Sequence, residues 1–445
     1  MKKLPLLLAA ALLGGSGSAG AADLLQVYRL ALDNDPQFLA ARHQADAGRE
    51  KEAQGLSGLL PTLGASANTQ WNDLKRDVNG GATTKAEYNS HGYTVTLTQP
   101  LFRWQNVVAY QQGRMQAAQA EAQLAQARQD VILRVAQAYF DVLYAEENLR
   151  ALQAQKKAIG QQLEQAKKNF EVGTATIVDT HEAQSRFDLA TAQEIAADSD
   201  LEIKRRALDV IVGKDPGALA QLRERAALER PQPDVMARWV EAAETDAIAV
   251  QLQQLALELA AKEVEKNRAG HYPTLDAVVA HGNAAQNAAL PLVGSNAAPG
   301  YETRSTTAAL QLNIPLFQGG FVNSKTREAE ANREASRQQL EAARRNAAQA
   351  ARQAYLGVAN GTAQVAALKA ALVSSQSSLE SNKLGYEVGV RISIDVLNAE
   401  QQLYATRRDL AKAWYDTLLA QLRLKSAVGT LEEADLAKVN ALLAQ

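Results

Sequence analysis

From Leu124 the apolar positions fall at 131, 135, 138, 142, 145, 149 and 152, then at 159, 163, 166 and 170, with Arg128 and Lys156 in the skipped slots. Steps of three and four sustained over that distance are a heptad seam, which asks for packing against other helices in coiled-coil fashion. The rhythm returns, less strictly, through Leu340, Val358, Val365, Leu368, Leu372, Leu379 and Tyr386. No proline interrupts Arg103 to Glu171, so a continuous helix there is roughly 100 Å long at ~1.5 Å per residue, too long for a globular core. Each rod closes on Val-Gly (Val172-Gly173, Val388-Gly389), where glycine suits a helix C-terminus. Phe187, Ala190, Ala197, Leu201, Leu208 and Ile211 then give the following helix a seam of its own. The pattern predicts helices over 24–58, 103–171, 176–212, 234–269, 318–388 and 392–428.

A different texture precedes each rod. Leu63, Ala65, Ala67, Thr69 and Trp71 alternate with Gly64, Ser66, Asn68, Gln70 and Asn72, and Tyr93, Val95 and Leu97 alternate with threonines. Leu275, Ala277 and Val279, then Leu310, Leu312 and Ile314, repeat the alternation. Period two means strands with one apolar and one polar face. It predicts β-hairpins over 62–100 and 274–314, joined by polar loops at 73–90 and 283–302. Phe102, Trp104, Phe317 and Phe321 cluster where strand gives way to rod, as an interfacial aromatic belt would. Two readings stay open: a soluble β-domain with one solvated face, or membrane strands, for which ~9 to 11 tilted residues suffice. Four strands cannot close a membrane barrel, so the second reading requires a barrel shared among subunits.

The chain contains itself twice. Phe170-Glu-Val-Gly-Thr-Ala-Thr-Ile-Val-Asp179 returns as Tyr386-Glu-Val-Gly-Val-Arg-Ile-Ser-Ile-Asp395, an offset of 216 that also pairs Tyr139 with Tyr355, Ala183 with Ala399 and Gly213 with Gly429. The repeat sets the domain plan: a first structural repeat over 23–213, a linker in an equatorial region over 214–233, a second repeat over 234–429, and a C-terminal equatorial segment over 430–445. Residues 1–22 read as a secretory signal, with Lys2 and Lys3, a short apolar run and small residues up to Ala22.

Composition narrows the function. Cysteine is absent, which excludes disulfides and thiolate metal sites. With 47 basic and 49 acidic residues there is no polybasic character and no nucleic-acid partner is expected. A mean hydropathy of −0.26, with no long apolar helix, excludes a helical membrane span. The histidines at 43, 91, 181, 271 and 281 show no metal spacing and no nucleophile motif lies in a structural context. Neither enzymatic activity, nor a metal, nor a cofactor is expected.

Pro61-Thr62, Gln99-Pro100-Leu101-Phe102, Tyr386-Glu-Val-Gly389 and Asp395-Val396-Leu397-Asn398-Ala399, behind an N-terminal Leu24-Leu25-Gln26-Val27-Tyr28 and Asn34-Asp35-Pro36, resemble the TolC family of bacterial outer-membrane efflux and secretion channels. The resemblance covers the whole chain beyond the signal. It implies a mainly α fold with a β-barrel part: a duplicated unit of long coiled-coil hairpins plus two β-hairpins. It implies a homotrimer sharing a 12-stranded barrel in outer-membrane lipid and a periplasmic α-helical barrel. The implied partners are a periplasmic adaptor and an inner-membrane ABC or proton-driven transporter, and the implied role is type I secretion or multidrug efflux. A periplasmic coiled-coil adaptor or scaffold is the alternative.

By the same resemblance, Tyr386 and Arg391 match locking residues and Asp179 their acceptor in a gate at the periplasmic tips. Val172, Gly173, Thr174, Val388, Gly389 and Val390 match the adaptor-contacting tips. Asp395 matches the first of two acidic rings at the pore constriction, whereas Asn398 stands at the second. A hydrogen-bonding latch suits a phenol, a guanidinium and a carboxylate. Asp179 and Asp395 equally suit helix N-terminal caps, and the glycines equally suit plain turns.

Overall fold

The computed structural model describes residues 21–77, 83–223, 228, 230–288 and 299–443; nearly all of the signal segment and the expected loop tips lie outside them. In chain order the elements are α1 (Leu24–Asn34), α2 (Pro36–Ser57), β1 (Thr62–Arg76), β2 (Thr84–Phe102), α3 (Trp104–Glu171), α4 (Ile177–Val212), α5 (Met236–Asp246), α6 (Ile248–Arg268), β3 (Thr274–Ala288), β4 (Pro299–Asn313), α7 (Phe321–Glu387), α8 (Ser393–Ala427) and α9 (Glu433–Asn440). They fall into two compact units, one of Met1–Ala40, Gln126–Ala247 and Asn346–Gln445, the other of Ala41–Ala125 and Ile248–Arg345.

Two helices expected to be single are each two. The stretch 24–58 breaks at Asp35, which is extended and followed by Pro36. A proline lacks the N–H a helix interior needs but is well placed in a first turn. Asp35 makes the break a proper start: its carboxylate accepts from the Phe38 amide at 3.1 Å and pairs with Arg134. The stretch 234–269 divides at Ala247 into α5 and α6.

In the first unit, α3 buries the predicted seam through Val131, Val135, Val142, Leu152, Ile159 and Leu163. It also buries a second stripe, Ile132, Ala136, Tyr139, Phe140 and Leu143, which a single heptad count does not contain. Phe140 stacks on Tyr415 of α8 with ring centroids 5.6 Å apart. Tyr139 is fully buried, and its one hydroxyl proton is donated to the Ala220 carbonyl (2.7 Å), with the Ala22 carbonyl the more distant second acceptor (3.2 Å). Burial raises its pKa far above the ordinary tyrosine range. Those carbonyls belong to a short extended region, with bridges pairing Ala22 with Leu219 and Leu222 with Leu443. Its repeat counterpart Tyr355 donates to Asp234 at 2.7 Å. The same duplicated tyrosine thus ties one rod into the linker at Ala220 and the other to Asp234, just beyond the linker's end.

The second unit holds one antiparallel sheet in the order β1-β2-β3-β4. Its register aligns Leu63, Leu97, Val279 and Ala308 in one row, and Gly64, Thr96, Ala280 and Thr307 in the next. The face of the first row is apolar across all four strands only at that row: farther along it carries His281, Thr306, Asn283 and Arg304, while the other face carries mainly small and hydroxyl side chains. The strands run well into the stretches expected as loops, to Arg76 and from Thr84, and to Ala288 and from Pro299. Ladder hydrogen bonds do not need alternation, so pairing continues after the apolar rows end. At the other end of the sheet, buried Asp276 of β3 accepts both Nε (2.8 Å) and Nη2 (2.6 Å) of Arg103, just before α3.

The expectation of no long apolar helix needs correction. α7 contains an 18-residue window of mean hydropathy 1.2, long and apolar enough by composition to cross a bilayer. Alanine and valine across residues 354–373 supply it, and Val358 and Val365 from that stretch are buried in the first unit.

Candidate functional site

Both hairpin tips are built alike. After α3 the amide of Gly173 donates to Phe170 O (3.0 Å) and that of Thr174 to Asn169 O (2.8 Å). After α7 Gly389 donates to Tyr386 O (3.1 Å) and Val390 to Gly385 O (2.9 Å). These bonds close the orphan carbonyls of each helix end. Gly173 and Gly389 sit at φ +78° and +79°, the left-handed region that side chains rarely adopt, although a Cβ there would meet no neighbour. The flanking apolar residues are strongly exposed: Val172 73%, Val388 64%, Val390 76% and Ile392 61%. The two turns thus leave valine and isoleucine side chains largely open to solvent.

The latch residues are not joined to one another within the chain. Asp179 forms a capping box with Thr176, accepting from its backbone N–H (3.0 Å) and hydroxyl (2.7 Å) while the Asp179 amide donates back to Thr176 Oγ1. Tyr386 packs on the Leu379, Val396 and Leu403 cluster of its own hairpin, and its hydroxyl accepts from Asn169 Nδ2 at 3.3 Å. Arg391 lies 3.6 Å from Asp395, one turn on in the same helical hairpin. Tyr386 thus reaches the first hairpin through Asn169, not through Asp179. Asp395 does not repeat the box, because its N-cap is Ile392, which has no side-chain acceptor. Capping explains one aspartate and not the other.

Other polar contacts at this level come from residues outside the motifs. Lys383 of α7 pairs at 3.0 Å with Glu400 of α8, which is only 2% exposed. Asn398 is exposed and accepts from Arg186 of α4 at 3.2 Å. Each charged residue looks like an ordinary solvated helix position in the sequence; the Glu182–Arg186 spacing of four was the one available sign. Among the described residues no group of three or more acidic or histidine side chains is placed to hold a metal ion.

Comparison with known proteins accounts for both halves at once. The family model described as "Outer membrane efflux protein" matches residues 27–214 and again 239–430. The chain is 34% identical over 444 residues to the outer membrane protein TolC of Vibrio cholerae, covering 99% of this chain and 98% of the relative. It is 33% identical over 428 residues to the alkaline protease secretion protein AprF of Pseudomonas aeruginosa, covering 95% and 88%. Among solved structures, the CmeC outer membrane channel of Campylobacter jejuni superposes with a TM-score of 0.79 at 17% identity, covering 98% of this chain and 96% of that one.

Proposed function

Because the chain belongs to the outer membrane efflux protein family, we propose that three copies of it close one membrane barrel, each giving the strands β1 to β4. The protein is an outer-membrane channel with a periplasmic extension, an exit duct for efflux or for type I secretion. The trimer rests on one observation: the sheet carries an apolar row across all four strands and ends in two strands, β1 and β4, that have no outer neighbour among the described residues. Unpaired backbone groups are not tolerated in lipid, so each edge requires the opposite edge of another copy.

The tips are the docking end of this duct. A periplasmic adaptor recruits an inner-membrane transporter by covering Val172, Gly173 and Thr174 on one hairpin and Val388, Gly389 and Val390 on the other. The bare valines support this reading, since apolar side chains in this number gain from being covered. The latch of Asp179, Tyr386 and Arg391 is assigned to the contact between neighbouring copies, since within one chain these three do not join one another. Asp395 and Asn398 form the constriction, with one carboxylate per copy in place of two. Opening then means breaking a few exposed polar contacts, each worth about 0.5–1.5 kcal/mol.

Outer-membrane fractionation tests the assembly. The protein should migrate as a heat-modifiable trimer from that fraction, and a monomer in the soluble periplasmic fraction would refute it. Gly173→Trp with Gly389→Trp should abolish export while leaving trimers intact; full export by that variant would remove the tips from the docking surface.

A further inference from the structure

Arg186, on α4 of the first repeat, engages three partners with its three guanidinium nitrogens. Nε donates to Glu182 Oε1 at 3.1 Å on its own helix, Nη1 to Gln401 Oε1 at 2.7 Å and Nη2 to Asn398 Oδ1 at 3.2 Å, both on α8 of the second repeat. We propose that Arg186 is the clasp that holds the second hairpin against the first, and that its charge stands at the constriction where Asn398 replaces a carboxylate.

The turn of α8 that Arg186 grips is fixed on its other sides. Leu397 is buried with Ile159 of α3 and Ala190 of α4, and Glu400 is buried against Lys383 of α7. A pull on residues 398–401 is therefore carried to both hairpins. The repeat shows why the contact runs one way. At the offset of 216, Glu182 and Arg186 become Asn398 and Gln402, so the ion pair of the first copy is neutral in the second. α8 presents amide oxygens here and α4 presents the donor. Glu182 holds the guanidinium in plane from one turn earlier, so less side-chain freedom is lost when the two outward bonds form. A planar fork reaches the three acceptors from three separate nitrogens, whereas a lysine would have to reach all three from a single one.

Two consequences follow for the duct, both resting on its reading as a gated channel. Breaking the two inter-repeat bonds raises the open fraction, and a carboxylate restored at 398 is held by the arginine beside it, whose charge it shares with Glu182. Purified trimers in planar bilayers test both. Arg186→Gln should raise the open fraction about tenfold, the effect of roughly two modest hydrogen bonds. Asn398→Ala with Gln401→Ala should match it, and adding Arg186→Gln to that pair should change nothing more, which separates a clasp from general loosening. Block by a trivalent cation should change little in Asn398→Asp and tighten by about tenfold when Arg186→Gln is added, as the freed carboxylates become available. Wild-type gating in both Arg186→Gln and the amide pair, with normal trimers, overturns the clasp alone. A wild-type protein that assembles but never conducts overturns the channel reading and the clasp with it.

Discussion

Asp179 carries two assignments that a single substitution can separate. Its carboxylate caps α4 with Thr176, and the proposed latch uses the same group against a neighbouring copy. Thr176→Ala removes the reciprocal cap and leaves the carboxylate, so it should cost only the loss of a capping residue, about 1 kcal/mol of local helix stability. Asp179→Ala removes both. If the latch is real, bilayer recordings should show Asp179→Ala far more open than Thr176→Ala; equal behaviour would reduce the aspartate to its cap. The constriction has a similar contrast. With Asp395 as its one acidic ring, the channel should be blocked more weakly by multivalent cations than a relative carrying both rings, because fewer like charges face the ion. Equal block in parallel titrations would contradict the ring assignment.

Among the elements, the long rods, their glycine turns and the strand hairpins were legible because each repeats one period over many residues: α3 spans 68 residues and α7 spans 67. The break at Asp35–Pro36 was less legible, since apolar positions continue on both sides and only the proline and its capping aspartate divide them. Strand ends were missed for the opposite reason: beyond the apolar rows both faces are polar, and the ladder leaves no mark in composition. Of the candidate site, the tip glycines and valines stood where the repeated motif put them. Lys383 and Glu400 were invisible, and the spacing of Glu182 and Arg186 showed only their own pair, because a charged residue on a helix says nothing about which other helix it will meet. The duplicated tyrosine makes a prediction at this scale. Tyr139→Phe strips the Ala220 carbonyl of its buried donor, while the Ala22 carbonyl keeps the Ala220 amide, and should destabilise that joint by about 1–3 kcal/mol, lowering the thermal midpoint of the trimer. Tyr355→Phe removes one exposed bond to Asp234 and should lower it less; the reverse order would contradict the assignment of the buried joint to Tyr139.

At the scale of the whole molecule, the duplication supplies two helical hairpins and two β-hairpins, and the proposed trimer would complete both the wall and the sheet. The apolar row across β1 to β4, and the two edges without an outer neighbour among the described residues, both support the proposed pairing of β1 of one copy with β4 of the next. The chain has no cysteine, so introduced thiols report this pairing against a clean background. Single cysteines at positions 63 to 71 of β1, combined with single cysteines at positions 304 to 312 of β4 and oxidised in intact outer membranes, test the closed barrel most directly. The account predicts that one register gives covalent dimers and trimers, with nothing larger. A ladder that continues beyond three chains, or no cross-link at any register, would contradict it.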